Sequence, residues 1–284
     1  MQTSQYSNDR RGTKLPKTAH SKDISGKLIF LGTGTSHGVP IIGCKCPTCT
    51  SHNPKNRRMR CSAVLGLPEG NLLIDTAPEL RLQLLSQDIG LVHAVLYTHA
   101  HADHLFGLDD LRLFSRYLGR DVPIYCEKHV EEQIRMSFGY AFNPITRNYP
   151  AGGVPRLEFQ EVTEEPLEIL GERITPIRIE HGQDPAFGYR IGDLAYCTDV
   201  KRFPAESEAL LQGLDTLILD CLRPEPHATH LGLEEAVETA QRLGARRTFF
   251  THMGHQLEHE ETNRRLPPNI RLAYDGLCIP LVPS

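Results

Sequence analysis

The chain has 284 residues, of which 39% are hydrophobic and 23% charged, which is the composition of an ordinary globular protein. No run approaches the ~18 consecutive apolar residues of a membrane-spanning helix, so we expect no membrane segment. The net charge of −4 at pH 7 provides no overall positive field, which disfavours nucleic acid as a partner.

Residues 1–26 form a polar segment that lacks the apolar run of a secretory signal. It carries several basic side chains, at Arg10, Arg11, Lys14, Lys17 and Lys22. Asp9 and Asp23 count against a transit peptide. We therefore expect a flexible leader over 1–26, a single domain over 27–284, and a cytoplasmic location in which the cysteines stay reduced.

Short apolar runs that end at glycine or polar residues predict strands, and apolar residues at helical spacing predict helices. In the first half, strands are predicted at 27–33, 61–67, 71–75, 92–98 and 123–126. Helices are predicted at 78–87, 103–117 and 127–136, with Asp103 as the N-cap of the second. The segments 34–60 and 140–153 are predicted to be loops.

The second half repeats this mixture of strands and helices. Strands are predicted at 156–161, 174–180, 187–191, 194–198, 216–220, 247–251 and 271–274. Helices are predicted at 205–212, 233–243 and 256–265. This order in two halves predicts an α/β (α+β) fold in which stacked sheets carry helices on the outside.

The strongest local signal is the run from His99 to His104, which directly follows a predicted buried strand. In an extended segment, side chains two residues apart point the same way, so His99 and His101 can bind one ion. The next helix then turns Asp103 and His104 toward a neighbouring position, which predicts a second ion close by. Imidazole and carboxylate ligands suit Zn, Fe, Mn or Co better than Ca or Mg. The alternative is a histidine-rich surface turn or helix cap.

Three further candidate ligands, His181, Asp199 and His252, each follow a predicted strand. Loops at strand ends carry functional residues on a rigid scaffold. Taken singly, each is equally explained as a polar residue that ends a strand. Together with the histidine run they supply about three ligands per ion and one shared carboxylate, which predicts a catalytic site with a position left for water.

This ordered ligand set resembles the metallo-β-lactamase superfamily. The resemblance implies a four-layer αββα sandwich with a hydrolytic metal site at one edge of the sheets. It implies that one ion is held by His99, His101 and His181, that the other is held by Asp103, His104 and His252, and that Asp199 bridges them. Asp75, after the apolar residues 72–74, matches an aspartate that supports the ligand loop in the family.

A second cluster contains only cysteines and one histidine. Cys44, Cys46 and Cys49 have the spacing C-x-C-x2-C, and His255 follows His252 by three residues. Three thiolates and one imidazole form a closed tetrahedral zinc site with no open position. Its predicted role is therefore structural, holding the loop 34–60 beside the active site. The alternative is a set of reduced surface thiols.

Within the superfamily, the chain most resembles the phosphoribosyl 1,2-cyclic phosphate phosphodiesterases of the carbon–phosphorus lyase pathway. The resemblance rests on the glycine-rich opening 32–40, the cysteine cluster, the residues 57–62, the pair His252 and His255, His230 before a helix, and Asp275-Gly276. It implies hydrolysis of a phosphodiester, with Asp103, Asp199 and His230 as catalytic residues. Asp199 would position the attacking hydroxide and His230 would protonate the leaving oxygen. From the residues alone, His230 is equally explained as a core histidine or helix cap.

The basic run in the loop 34–60 is a candidate for substrate binding. Arginine forks match phosphate oxygens, so Arg57 and Arg58 are candidate phosphate contacts. A solvated loop face is the alternative reading. The predicted cofactors are two divalent transition-metal ions, Mn, Zn or Fe, and one structural Zn. The predicted partner is a small phosphorylated substrate.

Three other functions are compatible with parts of the pattern. A transfer-RNA 3′-processing endonuclease shares the predicted fold, but the chain has no long basic arm rich in glycine and proline. A thioester hydrolase of the glyoxalase II type shares the metal ligands. A metal-bound sensor or interaction module is disfavoured because the ligand set is complete. The oligomeric state stays open, with a homodimer included.

Overall fold

The computed structural model describes residues 6–8, 14–16, 18–147, 149 and 152–281. The strands are β1 (Tyr6–Asn8), β2 (Lys14–Pro16), β3 (Lys27–Gly32), β4 (Ser62–Leu67), β5 (Gly70–Ile74), β6 (Ala94–Leu96), β7 (Val122–Cys126), β8 (Leu157–Glu161), β9 (Leu167–Ile169), β10 (Glu172–His181), β11 (Asp184–Ile191), β12 (Leu194–Cys197), β13 (Thr216–Asp220), β14 (Arg247–Thr251), β15 (Ile270–Leu272) and β16 (Cys278–Pro280). The helices are α1 (Leu80–Ser86), α2 (Ala102–Leu105), α3 (Phe114–Leu118), α4 (Lys128–Ser137), α5 (Gly139–Phe142), α6 (Pro144–Arg147), α7 (Ala205–Leu210), α8 (Leu233–Leu243) and α9 (His259–Arg265). Short 3-10 turns occupy Pro54–Asn56 and Leu108–Leu113.

Two seven-stranded sheets dominate the fold. One sheet has the order β16-β3-β4-β5-β6-β7-β8, and the other has the order β15-β14-β13-β12-β11-β10-β9. Each sheet has an antiparallel part and a parallel part. In the first sheet, the strands from β16 to β5 are antiparallel and those from β5 to β8 are parallel. In the second sheet, the strands from β9 to β12 are antiparallel and those from β12 to β15 are parallel. Antiparallel neighbours need only tight turns, whereas parallel neighbours need crossovers, which most of the helices supply.

The hydrophobic core forms three layers. Strand alternation divides β3: Leu28 and Phe30 enter the cluster between the sheets, whereas Ile29 and Leu31 enter the cluster under the outer helices. The middle cluster includes Phe187 and Tyr196 from the second sheet. A third cluster packs α8 on the outer face of that sheet. Helix, sheet, sheet and helix therefore stack in four layers, and the predicted αββα sandwich is confirmed.

Most predicted strands and helices are confirmed within a few residues, but several predictions are wrong. The predicted helix 103–117 is divided into α2, a 3-10 turn and α3. His101, not Asp103, is the N-cap of α2. The predicted loop 140–153 contains most of α5 and all of α6, and the short strands β9 and β16 were not predicted.

The predicted leader 1–26 differs in part from the structure. Its strands β1 and β2 pair in antiparallel fashion, and Ile24 is a core residue that is 1% exposed. The remaining leader residues 1–5, 9–13 and 17 lie outside the described residues. The single domain over 27–284 stays a prediction. Among the helices described here, none combines the length and apolar character needed to cross a bilayer.

Candidate metal centre

The predicted ligands converge at one edge of the two sheets, where β5, β6, β10, β12 and β14 end. Three of these strand ends turn sharply in the left-handed backbone region, at Asp75 (φ 61°), Asp199 (φ 56°) and His252 (φ 59°). Positive φ is uncommon for residues other than glycine and often marks functional sites. All three side chains belong to the cluster of ligands and supporting residues at this sheet edge.

The seven predicted ligands form two groups, and a third group joins Asp199 and His252 to His230. His99, His101, His181 and Asp199 each offer an atom within 4.8 Å of the others, and so do Asp103, His104 and His252. Most of these side chains are buried, and the side chain of His101 is 43% exposed. All seven predicted metal ligands therefore meet in one place, although they come from four separate segments of the chain.

Asp199 lies between the two groups. Its Oδ1 is 3.9 Å from Nε2 of His99 and 3.9 Å from Nε2 of His181. On the other side, Oδ2 is 3.3 Å from Nε2 of His104, and Oδ1 is 3.3 Å from Nε2 of His252. A carboxylate in this position contacts both groups, as a bridging ligand must.

Several buried nitrogens in the centre have no hydrogen-bond partner among the described residues. These are Nε2 of His99, Nε2 of His104 and both ring nitrogens of His252. Buried polar atoms in proteins are nearly always satisfied, so such a cluster needs an occupant. Burial lowers the pKa of His99 well below its usual value, which keeps this imidazole neutral and able to bind a metal. The donor set fits divalent transition metals.

In the second ligand group, the carboxylates stabilise positive charge on the neighbouring imidazole of His104. Burial by itself lowers the pKa of His104, but Asp199, Asp103 and Asp75 together raise it well above the usual value. For Asp199 the two effects have the opposite signs: burial by itself raises its pKa, but the surrounding histidines hold the pKa well below the usual value. The site therefore favours net positive charge beside its carboxylates, which a bound cation also supplies.

A layer of hydrogen bonds orients the imidazoles. Asp75 is fully buried and accepts from Nδ1 of His104 at 2.7 Å and from the backbone N–H and Oγ1 of Thr98, both at 2.8 Å. Nδ1 of His181 donates to the carbonyl oxygen of Thr229 at 2.9 Å. Each bond places the proton on Nδ1 and leaves Nε2 with a lone pair for a metal. Asp75 thus occupies the supporting position that the resemblance implies.

His230 lies against this centre and is 9% exposed. Its ring stacks on that of His252 with 4.8 Å between centroids, and its Nδ1 is 3.3 Å from Oδ1 of Asp220. Asp220, fully buried, was missed in the sequence, although it ends β13 as the predicted ligands end their strands. His227 was also missed, and its ring centroid is 5.2 Å from that of His230.

The second predicted metal site is also assembled. The Sγ atoms of Cys44, Cys46 and Cys49 lie 3.3, 3.3 and 3.5 Å from Nδ1 of His255. A tetrahedral zinc with usual bond lengths separates its sulfur and nitrogen ligands by about 3.5 Å. The backbone N–H of Cys49 is the main cause that lowers the pKa of Cys46 to about 6, which favours the thiolate.

The two candidate phosphate contacts have different environments. Arg58 is 2% exposed, and its guanidinium donates to the carbonyl oxygens of Gly254 at 2.9 Å and Leu257 at 2.6 Å. The predicted contact of Arg58 with substrate disagrees with this placement, because the guanidinium is committed to the backbone on both sides of His255. Arg57 is exposed on a cavity of about 600 Å³ that is lined by other residues than the predicted metal ligands.

Comparisons with known proteins agree with this fold. A beta-lactamase superfamily domain matches residues 70–253. A solved structure described as a new diphosphatase from the PhnP family is 42% identical, with a TM-score of 0.83 over 89% of this chain and 96% of that chain. An octanoyltransferase of Porphyromonas gingivalis is 37% identical over 255 residues, which are 88% of this chain and 51% of that protein. A ribonuclease Z of Enterococcus faecalis is 29% identical over 60% of this chain and 50% of that protein.

The chain spans about half the length of these two curated relatives. The superfamily domain, in contrast, covers well over half of the chain and includes the predicted ligands from His99 to His252. The chain belongs to the metallo-β-lactamase superfamily of hydrolases.

Proposed function

We propose that this chain is a phosphodiesterase whose active site binds two divalent transition-metal ions, Mn, Zn or Fe. The main support is the position of Asp199, whose two oxygens approach four imidazoles from two ligand groups. One group would consist of His99, His101 and His181, and the other of Asp103, His104 and His252, with Asp199 shared. When bound, two such ions activate water and neutralise negative charge on phosphoryl oxygens.

The residues of the chain would assist hydrolysis in distinct ways. Asp199 lies at the centre of the ligand cluster, where its carboxylate would orient the attacking water. Asp103 keeps its negative charge because the adjacent His104 and His252 overcome the effect of burial and lower its pKa. Both carboxylates would thus hold the attacking group in line with the bond to be broken.

His230 is the proposed general acid. Its Nδ1 faces Oδ1 of Asp220 at 3.3 Å, so this carboxylate accepts from Nδ1 and orients the ring, which leaves Nε2 for the substrate. In the proposed step, a proton on Nε2 passes to the leaving oxygen. Because His230 adjoins the ligand His252, the acid would lie beside the scissile bond.

The pair His230 and Asp220 favours a diester over a thioester as substrate. An alkoxide is a strong base and leaves readily only when it is protonated, whereas a thiol has a pKa near ~8.5 and leaves without such help. The description of the structure with 42% identity as a diphosphatase also supports phosphoryl chemistry. The octanoyltransferase name carries less weight, since this chain matches only 51% of that protein.

The proposal includes a small phosphorylated substrate, cyclic or linear, and a structural Zn held by Cys44, Cys46, Cys49 and His255. Thiolate ligands require a reducing environment, which supports a cytoplasmic location.

Turnover of bis(p-nitrophenyl) phosphate by protein reconstituted with Mn²⁺, Zn²⁺ or Fe²⁺ tests the function. We expect turnover, three metal ions per chain by elemental analysis, and loss of turnover in Asp199→Asn. A thioester substrate measured in parallel should react far more slowly. Absence of diester turnover in a fully metallated sample would refute the proposal, and preferential thioester hydrolysis would replace it.

A further inference from the structure

Three imidazoles form a row that leads outward from the metal centre. The ring centroids of His252 and His230 are 4.8 Å apart, and those of His230 and His227 are 5.2 Å apart. Exposure increases along the row, from 1% at His252 to 9% at His230 and to partial exposure at His227. His227 is absent from the groups of described residues that could hold a metal. The outermost ring therefore lies at the mouth of the site without a role in metal binding.

A backbone amide determines where His227 carries its proton. The N–H of Thr229 donates to Nδ1 of His227 at 3.3 Å. Because a backbone N–H can only donate, this nitrogen holds the lone pair, and the neutral ring carries its proton on Nε2. The free edge of His227 is therefore a hydrogen-bond donor.

The turn that carries His227 is fixed to the metal centre. The carbonyl oxygen of Thr229 accepts from the ligand His181 at 2.9 Å. The methyl group of Thr229 lies only 2.7 Å from where a Cβ of Gly182 would be, so the two loops pack without a gap. The backbone N–H of Leu231 donates to Oδ2 of Asp220 at 2.9 Å. The donor on His227 is thus held in position before a substrate arrives, which favours specific binding.

We propose that the Nε2–H of His227 donates a hydrogen bond to an oxygen of the leaving group, beyond the scissile bond. His230 would protonate the leaving oxygen itself. Because His227 is the next ring outward, it would meet the atoms of the leaving group that lie beyond this oxygen. His227 would then select phosphodiesters whose leaving group carries further oxygens, such as a sugar. This inference rests on the proposed phosphodiesterase function.

Two substrates with different leaving groups test this role. A 2′,3′-cyclic mononucleotide has a ribose leaving group with oxygens close to the leaving atom, whereas the leaving group of bis(p-nitrophenyl) phosphate has further oxygens only in the nitro group at the far end of its ring. A neutral hydrogen bond contributes enough to change KM roughly 3- to 10-fold. We expect His227→Ala to raise KM by this factor for the cyclic nucleotide, to leave kcat within about twofold, and to leave KM for the aryl diester unchanged. His227→Gln, whose amide can reach the position of Nε2, should recover most of the loss.

His129→Ala, on α4, is the matched control and should behave as the unsubstituted enzyme. Metal content and melting temperature should be unchanged in both His227 variants. The inference is overturned if the two substrates respond equally to His227→Ala, if KM stays unchanged, or if metal is lost. If the unsubstituted enzyme hydrolyses neither diester, the proposed function fails and this inference fails with it. If the enzyme hydrolyses both diesters but His227→Ala has no selective effect, only this inference fails.

Discussion

Asp75 should control metal affinity although it is not itself a ligand. It accepts three hydrogen bonds, from the backbone N–H of Thr98, from Oγ1 of Thr98 and from Nδ1 of His104. In Asp75→Asn, one oxygen can still accept from the N–H of Thr98. The amide nitrogen then replaces the oxygen that is 2.7 Å from Nδ1 of His104, and it can only donate.

Two donors cannot face each other at that distance, so His104 must move its proton from Nδ1 to Nε2. Nε2 is the atom that faces Asp199 and Asp103 at 3.3 Å, and it would lose the lone pair that a metal needs. Loss of such supporting bonds usually weakens metal binding about 10- to 100-fold, which corresponds to about 1.4–2.8 kcal/mol.

The assay is competition with a chromophoric chelator, which reports the dissociation constant of each metal. We expect weaker binding of one of the two active-site ions and unchanged binding at the cysteine site. Asp23→Asn, which alters an exposed carboxylate, serves as the control. An unchanged dissociation constant in Asp75→Asn would refute the argument from tautomers.

Three further predictions concern the zinc loop, the proposed acid and a buried carboxyl. Arg58→Met should release zinc from the cysteine site faster and lower stability by about 3 kcal/mol, because two buried carbonyls lose charged donors, whereas Arg57→Met should change neither quantity. His230→Ala should reduce kcat strongly for an alkyl leaving group and little for p-nitrophenolate, and equal losses would exclude the acid role. Burial raises the pKa of Asp275 to about 7, so the folded state binds the proton of this carboxyl group more tightly than the unfolded state does. The resulting contribution to stability is fully present below pH 3.8 and is lost as pH rises to 7. Asp275→Asn should therefore flatten that part of the profile of melting temperature against pH.

The sequence predicts the sheets well because most strands are apolar runs that end at polar residues. Helical predictions fail where one long-range contact overrides the local pattern. In the predicted helix 103–117, a Cβ on Gly107 would lie 2.0 Å from the carbonyl oxygen of Ala77. This close approach of two distant backbones ends α2 and requires a separate turn before α3. The pattern of apolar residues contains no sign of it.

Candidate ligands were found because each follows a strand, and Asp220 meets the same criterion. It was missed because an aspartate at a strand end is common and no motif surrounds it. Arg58 was assigned to solvent or substrate because it belongs to a basic run. Its partners, Gly254 and Leu257, are about two hundred residues away in the sequence, so only the folded chain reveals that this guanidinium is internal.

The left-handed corners connect the backbone conformation to the chemistry of the site. Asp75, Asp199 and His252 have positive φ, which costs of order 1–3 kcal/mol at each residue other than glycine. Glycine would remove that cost, but it offers no ligand. Aspartate and histidine are among the few residues with a side chain that adopt this region more readily, and they are also the residues that bind metals or orient metal ligands. A site at strand ends with a left-handed backbone is therefore built most readily from these two residue types, which explains why the sequence has them at these corners.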